Sequence, residues 1–313
     1  MVVQHNAALP DGLEISGYRI VKKIAVGGFS IVYLAQDAQG NEVAIKEYLP
    51  AALVRRMSGE LEPVVSREHR DLYRIGLKYF FDEGRALASI VHPNVIRVLN
   101  FFRANETVYL VMSYEHGRSL QQHVARRRKK GDKPLVSESA IRGMFAQVMD
   151  ALREVHTHKL LHLDLKPANI YLRNDGTPIL LDFGAARQTL QTDLSTIHPM
   201  YTPGFAAPEL HAKKELGPWT DIYSIGASIF NCMVGVPPQS AIEREREDRM
   251  DQFYAELESI YTPDLLKLVR WSLMLDPLQR PQSVFALQKA MRLLPDSIQA
   301  PNTLLSRLRK MVN

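Results

Sequence analysis

The chain has 313 residues, 46% of them apolar and 23% charged, with a net charge of +5. These proportions suit a globular protein of one large domain or two lobes; no run of about 18 apolar residues occurs, which excludes a helical membrane span, and the first residues lack the basic and apolar regions of a signal peptide, so a cytoplasmic location is expected. The single cysteine, Cys232, excludes an internal disulfide and is expected to be buried, and the scattered basic residues, without a zinc or RNP-type pattern, argue against nucleic acid as a partner.

The first third reads as strands. Residues 18–24, 31–35 and 42–46 are short β-branched or aromatic-rich runs, separated by Gly27-Gly28 and Gln39-Gly40-Asn41. That pattern predicts an antiparallel meander. Residues 25–30 (Ala25, Val26, Gly27, Gly28, Phe29, Ser30) form either a hairpin turn or a loop with a backbone role. The stretch from Glu47 to Tyr79 is longer than a plain strand-to-helix link, and a peripheral helix packed on the first lobe is the expectation. A further strand, residues 107–112, leads into Ser113-Tyr114-Glu115-His116-Gly117. The basic run Arg126-Arg127-Arg128-Lys129-Lys130 is expected to be a solvated loop. Ile141, Phe145, Val148, Leu152 and Val155 then fall at helical spacing behind Ser137, a good N-cap. Residues 219–234 are apolar on nearly all sides, as in a buried helix.

The chemistry concentrates at residues 162–169, His162-Leu163-Asp164-Leu165-Lys166-Pro167-Ala168-Asn169, and at Asp182-Phe183-Gly184, thirteen residues past Asn169. An acid, a lysine and two oxygen donors at these spacings suit ATP-dependent phosphoryl transfer. The transferred phosphoryl spreads negative charge over its oxygens, so catalysis is mostly positioning and charge stabilisation. Asn169 and Asp182 supply the oxygen ligands that Mg²⁺ (or Mn²⁺) takes. Asp164 would accept a hydrogen bond from a substrate hydroxyl, and Lys166 would reach the γ-phosphate as a compact charge.

These motifs resemble the catalytic and magnesium-binding loops of protein kinases. The resemblance covers about residues 18–293, with its motifs in family order, and is to bacterial serine/threonine kinases of the eukaryotic type. It implies an α+β, bilobal protein-kinase-like fold: a small antiparallel β-sheet lobe with one helix (18–112), a hinge (113–118) and a larger, mainly helical lobe (119–293). An N-terminal extension (1–17) and a basic tail (294–313) flank them. By the resemblance, Lys46 in Val43-Ala44-Ile45-Lys46 meets the α- and β-phosphates and is fixed by Glu83, with Asp82 as the neighbouring rival. Residues 25–30 resemble the glycine-rich loop, keeping Gly27, with Ala25 and Ser30 at the outer glycine positions and Gly28 in addition; the N–H groups of Gly28, Phe29 and Ser30 would face phosphate oxygens. Met112 matches the gatekeeper, and Ser113 C=O and Glu115 N–H the adenine partners. The implied ATP surface comprises Ile24, Ala25, Val26, Gly27, Gly28, Phe29, Ser30, Val32, Ala44, Lys46, Met112, Ser113, Glu115 and Tyr171.

The same resemblance makes Ala207-Pro208-Glu209 the end of an activation segment, with Thr189, Thr192, Ser195 and Thr196 as candidate autophosphorylation sites. Thr202 matches the threonine that bonds the catalytic Asp and Lys. Asp221 would hold catalytic-loop N–H groups, and Arg280 would pair with Glu209. Lys166 and Thr202 favour serine/threonine over tyrosine specificity. Aminoglycoside and choline kinases share the acid-asparagine-acid logic but usually lack this Lys and the Ala-Pro-Glu element. One departure stands out: Leu163 occupies a position where the family usually has Arg. With no charge to neutralise, activity is expected not to need activation-loop phosphorylation. The implied partners are protein substrates, with a cognate phosphatase or phosphothreonine-binding domain as further candidates. The alternative is a pseudokinase acting as an ATP-sensing or scaffolding module, to which the altered glycine loop and Leu163 would also fit.

Overall fold

The computed structural model describes residues 6–183, 187–188, 201–212 and 214–293. The chain divides into two units, Met1–Gly117 and Arg118–Asn313. The basic tail and the four candidate autophosphorylation sites, Thr189, Thr192, Ser195 and Thr196, lie outside the described residues.

The first unit contains β1 (Glu14–Ile15), β2 (Tyr18–Val26), β3 (Ser30–Gln36), β4 (Glu42–Tyr48), β5 (Val54–Arg55), β6 (Val64–Val65), α1 (Arg70–Ala88), β7 (Val98–Ala104) and β8 (Thr107–Ser113). Six of the strands form one sheet in the order β1-β2-β3-β4-β8-β7, and every pairing in it is antiparallel. Turn chemistry sets the register. Asp37 accepts hydrogen bonds from the N–H groups of Gln39 and Asn41 at 2.9 and 2.8 Å, an Asx-type turn that closes the β3–β4 hairpin. Asn105 and Glu106 take positive φ values of 47° and 54°, which suits the two-residue hairpin between β7 and β8.

The pleat divides the sheet's residues between two faces. Val32 and Leu110 stand opposite Lys46, and Leu34 and Met112 opposite Ala44, on one face. Helix α1 packs there. Phe80 sits 5.4 Å from the Tyr48 ring and Phe81 meets Phe101 edge-on at 4.8 Å. A Cβ at Gly84 would lie 2.8 Å from Leu110 Cδ1, so glycine lets the helix approach the strand at this point.

The other face carries Tyr33, Glu47 and Tyr109. Here the sequence expectation of a peripheral helix between Glu47 and Tyr79 is corrected. Residues 49–66 run as turns and the short β5–β6 ribbon, interrupted by Pro50, Gly59 (φ 88°) and Pro63, and helical structure begins only at the turn Arg67–His69 that leads into α1. The segment delivers Arg56 inward. Its guanidinium pairs with Glu47 at 2.5 and 2.7 Å and donates to Tyr33 Oη at 3.1 Å. Tyr33 and Tyr109 donate to the same carboxylate at 2.7 and 2.8 Å, and both side chains of the ion pair are fully buried. Burial first, and then the Glu47 charge, push both phenol pKa values up, so the phenols stay protonated donors. Residues 6–9 close over this network: Leu9 N–H donates to Tyr33 Oη at 3.0 Å, and Ala7 exchanges two bonds with Arg56.

β9 (Gly117–Ser119) begins at the boundary residue, and the second unit continues with α2 (Leu120–Lys130), α3 (Glu138–Thr157), β10 (Leu160–Leu161), β11 (Ile170–Arg173), β12 (Pro178–Leu180), β13 (Arg187–Gln188), α4 (Pro208–Ala212), α5 (Pro218–Val234), α6 (Ala241–Arg246), α7 (Met250–Leu257), α8 (Pro263–Ser272) and α9 (Val284–Leu293). Helix α3 starts at Ser137, whose hydroxyl accepts from Ala140 N–H, and its periodic residues Ile141, Phe145, Val148, Leu152 and Val155 are all buried. Helix α5 is buried on every side from Thr220 to Met233, Cys232 included. The basic run 126–130 is the end of α2, not a loop. A capping box at Ser119 and Gln122 opens that helix, and Gly131 closes it in the left-handed region at φ 74°. A run without apolar residues shows no helical period, and basic residues favour a helix C-terminus through the dipole.

Candidate active site

In the second unit, the antiparallel β11–β12 pair brings together the residues that the sequence separates by thirteen positions. Asn169 precedes β11 and Asp182 follows β12; Ile170 pairs with Leu180, and Leu181 N–H donates to the Asn169 carbonyl at 2.9 Å. Asn169 Nδ2 donates to the Asp164 carbonyl at 2.8 Å and to Asp164 Oδ2 at 3.2 Å. With its amide nitrogen used this way, the remaining side-chain donor atom of Asn169 is an oxygen, which is the ligand type a hard divalent cation requires. Asp182 has a positive φ of 55° and is exposed. Among the described residues no three His, Cys, Asp or Glu side chains form a cluster that could hold a metal ion. Asn169 and Asp182 offer an amide and a carboxylate oxygen, the ligand type of a hard cation such as Mg²⁺.

Asp164 and Lys166 are partly buried. Lys166 Nζ donates to Asp164 Oδ2 at 2.7 Å and to Thr202 Oγ1 at 2.8 Å. One ammonium thus links the catalytic loop to the segment before α4. Leu163, beside Asp164, has φ 61°, a conformation that costs a non-glycine residue about 1–3 kcal/mol unless its surroundings impose it. The surroundings do so twice. Leu163 N–H donates to Asp221 Oδ1 at 2.8 Å, and its side chain is buried in an apolar cluster with Leu161, Ala206 and Leu210, against which Tyr201 and Leu216 pack.

Asp221, at the start of α5, is fully buried. Its Oδ2 also accepts from His162 N–H at 2.9 Å and bonds His156 Nε2 at 2.8 Å. Burial by itself would raise its pKa, but the His156 bond, the two histidines and the backbone donor outweigh burial and bring it below the ordinary carboxylate range. His162 is likewise buried, which pushes its pKa down; its ring lies 4.6 Å from that of Phe183. Glu209 and Arg280 form a second fully buried pair at 2.8 and 2.9 Å, and the guanidinium also donates to the carbonyls of Trp219, Met274 and Leu275.

In the first unit, Lys46 is buried on β4, with Nζ 5.6 Å from the centre of the Phe80 ring on α1. Glu83 lies one turn beyond Phe80 and is half-buried, whereas its rival Asp82 is exposed. Ala44 and Met112 oppose each other across β4 and β8. Ser113 N–H donates to the Arg97 carbonyl at 2.9 Å, and Ser113 Oγ to Glu115 Oε1 at 3.3 Å. Ile24, Ala25 and Val26 end β2, and Ile24, Val26 and Phe29 are exposed apolar side chains. Gly27 N–H donates to the Ser30 carbonyl at 2.8 Å. The carbonyls of Gly28 and Phe29 accept from Ala51 and Leu49 at 2.9 and 2.7 Å. Those bonds use carbonyl oxygens, so the N–H groups of Gly28 and Phe29 stand outside them. Val32 is opposite Lys46, and Tyr171 is on β11 in the second unit.

Sequence reasoning missed His156, the Tyr33–Glu47–Arg56–Tyr109 network and the packing of Leu163. A histidine ending an otherwise apolar helix face was the only trace of the first. No local pattern marks the other two.

The sequence matches the protein kinase domain family over residues 18–291. The chain belongs to that family. It is 28% identical over 222 residues to the probable serine/threonine-protein kinase PknB of Lactococcus lactis, covering 71% of this chain and 32% of that protein. It is 28% identical over 231 residues to the serine/threonine-protein kinase PknA of a Nostoc species, covering 71% of this chain and 38% of that protein. The chain thus corresponds to only part of these relatives' length, 32% and 38%. Among solved structures, the apo form of PpkA-294 is similar at a TM-score of 0.78 and 32% identity, over 91% of this chain and 99% of that one. The kinase domain of Mycobacterium tuberculosis PknI shares the fold, at a TM-score of 0.64 and 24% identity over 91% of this chain and 98% of that one. Members of the protein kinase domain family use ATP as the phosphoryl donor. Among the described residues, no helix is long and apolar enough to cross a membrane.

Proposed function

We propose that this chain is an active serine/threonine protein kinase whose activity does not require phosphorylation of its activation segment. The observation that supports activity most directly is the linkage of Asp164, Lys166, Asn169 and Thr202 by hydrogen bonds of 2.7–3.2 Å. In this reading Asp164 accepts a hydrogen bond from the incoming serine or threonine hydroxyl and orients it. Lys166 offsets the charge on the transferred phosphoryl, and Thr202 holds Lys166 in place. Lys46, positioned by Glu83, meets the α- and β-phosphates. Asn169 and Asp182 would hold Mg²⁺, which supplies neutralisation of phosphate charge. Ala44 and Met112 border the adenine, and Ser113 and Glu115 read its edge.

Independence from phosphorylation rests on Leu163. The apolar cluster it forms with Ala206 and Leu210, against which Tyr201 packs, joins the loop at residues 162–169 to α4 and the segment before it. An arginine in this place would need an anion to neutralise it; a buried leucine does not. Incorporation of labelled phosphate from ATP into a basic protein substrate tests both parts. Asp164→Ala should abolish incorporation, and equal incorporation by both proteins removes the enzyme reading. The combined change of Thr189, Thr192, Ser195 and Thr196 to Ala should retain most of the wild-type rate, and a fall of roughly a hundredfold or more, the scale of a lost catalytic group, refutes independence.

A further inference from the structure

Residues 118–133 carry seven basic side chains and one acidic one, an excess of six positive charges against a net of +5 for the whole chain. They span the end of β9, helix α2 and the turn after it. Only Leu120 and Val124 of α2 are buried; Arg126, Arg128, Lys129, Lys130 and Lys133 are exposed, and Arg118 is half-buried. Among the described residues, Arg127 is the one of the seven with a carboxylate partner, Asp132 at 3.2 Å. Arg126 stands three and four residues before Lys129 and Lys130, so the three share one side of the helix, where like charges repel. The helix dipole accounts for basic residues in the last turn of α2, but not for Arg118 and Arg126 outside it. Burial first, and then the charges of Arg127, Arg118 and Arg126, push the His123 pKa down. One half-buried neutral ring thus sits in the field of guanidinium groups from both β9 and α2, which form a single positive ridge.

The ridge begins beside the catalytic loop. Gln121 N–H donates to the Pro167 carbonyl at 3.0 Å, and Pro167 follows Lys166, whose ammonium bonds Asp164 and Thr202. We propose that this ridge docks an acidic stretch of the protein substrate and so presents a nearby serine or threonine hydroxyl to Asp164; the inference rests on the kinase reading above and narrows its substrates to a class. From Gln121 to Lys130 an α-helix advances about 14 Å, a span that an extended peptide covers in about four residues, so the acidic stretch has about that length. Single exposed ion pairs are weak and screened by salt, but a one-signed run acts through its summed field and steers an oppositely charged segment to the loop. A nucleic acid or a membrane would meet the same charge. Residues 118–133, however, contain no Phe, Tyr or Trp on which a base could stack, and they expose no large apolar side chain to enter a lipid interface. A basic acceptor still reaches Asp164, at a higher KM.

The probes are three serine peptides of one length: one with a run of glutamates before the serine, one with the same run after it, and one with lysines at whichever placement the glutamates favour. Transfer of labelled phosphate from ATP is followed with the full chain, with Asp164→Ala as the blank. One glutamate placement should give the best substrate, because the ridge leaves the catalytic loop in one direction only, and its KM should rise with ionic strength as exposed charges are screened. The combined Arg126→Ala, Lys129→Ala and Lys130→Ala variant, altered only at exposed positions, should raise the KM for that peptide roughly tenfold, the scale of three exposed ion pairs, with the turnover number and melting temperature unchanged. Changing the same three residues to Glu should invert the preference toward the lysine peptide, which a loss of folding would not do. Asp164-dependent transfer that is equal for all three peptides, an equal gain from both glutamate placements, or an unchanged KM in the triple Ala variant overturns the inference and leaves the kinase reading standing. No transfer to any peptide, by wild type and Asp164→Ala alike, overturns both. Ridge-dependent binding of an oligonucleotide or of anionic lipid vesicles, with the peptide KM indifferent to the ridge, assigns the surface to those ligands instead.

Discussion

Asp221 holds the catalytic loop with side-chain oxygens that accept the N–H groups of His162 and Leu163, whereas the glycine-rich turn at residues 27–29 is held by backbone bonds, two of them from Leu49 and Ala51. A buried, ionised carboxylate is specific to one position and costly to replace. A backbone bond is indifferent to the side chain it carries. The turn can therefore depart from the usual glycine pattern, at Ala25 and Ser30, as long as the following segment stays in register. The same segment carries Arg56, which is buried against Glu47. The loop that would perform the transfer is thus anchored through a helix, and the turn proposed to meet the nucleotide through an insert.

Four changes would sharpen or break this contrast. The largest effect is expected for Asp164→Ala, which removes the group proposed to orient the hydroxyl while leaving the anchors intact. The turnover number should fall on the order of 10³-fold, about 4 kcal/mol of transition-state stabilisation, with an unchanged melting temperature. Steady-state kinetics beside thermal unfolding checks both halves. Next, Arg56→Ala leaves Glu47 buried without its cation and should cost about 3–5 kcal/mol in denaturant unfolding. Arg56→Met together with Glu47→Leu should cost much less, since an apolar replacement of both partners strands no charge. If single and double variants unfold alike, the pair is not what organises the insert.

Asp221→Asn should cost about 2 kcal/mol at neutral pH through weakened bonds to the two N–H groups and His156. The sign of the pH dependence follows from the lowered pKa of Asp221. Its stabilisation is present above the ordinary carboxylate range and is lost as pH falls through the lower folded value. The stability gap between wild type and variant should therefore narrow as pH is taken below about 4, and a gap independent of pH would show that the aspartate is not held ionised. The smallest effect is expected for Ala51→Pro. Ala51 follows Pro50, whose carbonyl accepts from Leu53 and Val54, a turn position that accepts proline. The change removes one bond to the Gly28 carbonyl, worth about 1 kcal/mol. KM for ATP should rise a few-fold with the turnover number unchanged; a fall in turnover instead would mean that the insert reaches the transfer step.

Much of the second unit could be read locally. The period of α3, the largely apolar α5 and the cap at Ser137 are patterns within one element. Asn169 and Asp182 are close in sequence and are joined by a short strand pair, so their pairing needed no long-range information. Elsewhere local reading failed for physical reasons. Residues 126–130 have no apolar face, so their helix left no period. Residues 49–66 fold against the sheet through buried Leu49, Val54 and Arg56, and a charged residue in a mixed stretch looks the same whether solvated or buried.

The amino-acid order alone settled which groups are available: an acid, a lysine and two oxygen donors at fixed spacings, a lysine on a central strand, and a leucine beside the acid. The tertiary structure decided what surrounds them. It packed Leu163 against Ala206 and Leu210, buried Arg56 on Glu47 instead of leaving it in water, and held the start of α2 against Pro167 of the catalytic loop. Spacing along a chain fixes which face of one element a side chain occupies. Only the docking of elements far apart in sequence fixes the neighbours it meets there, and those neighbours set its charge state and packing.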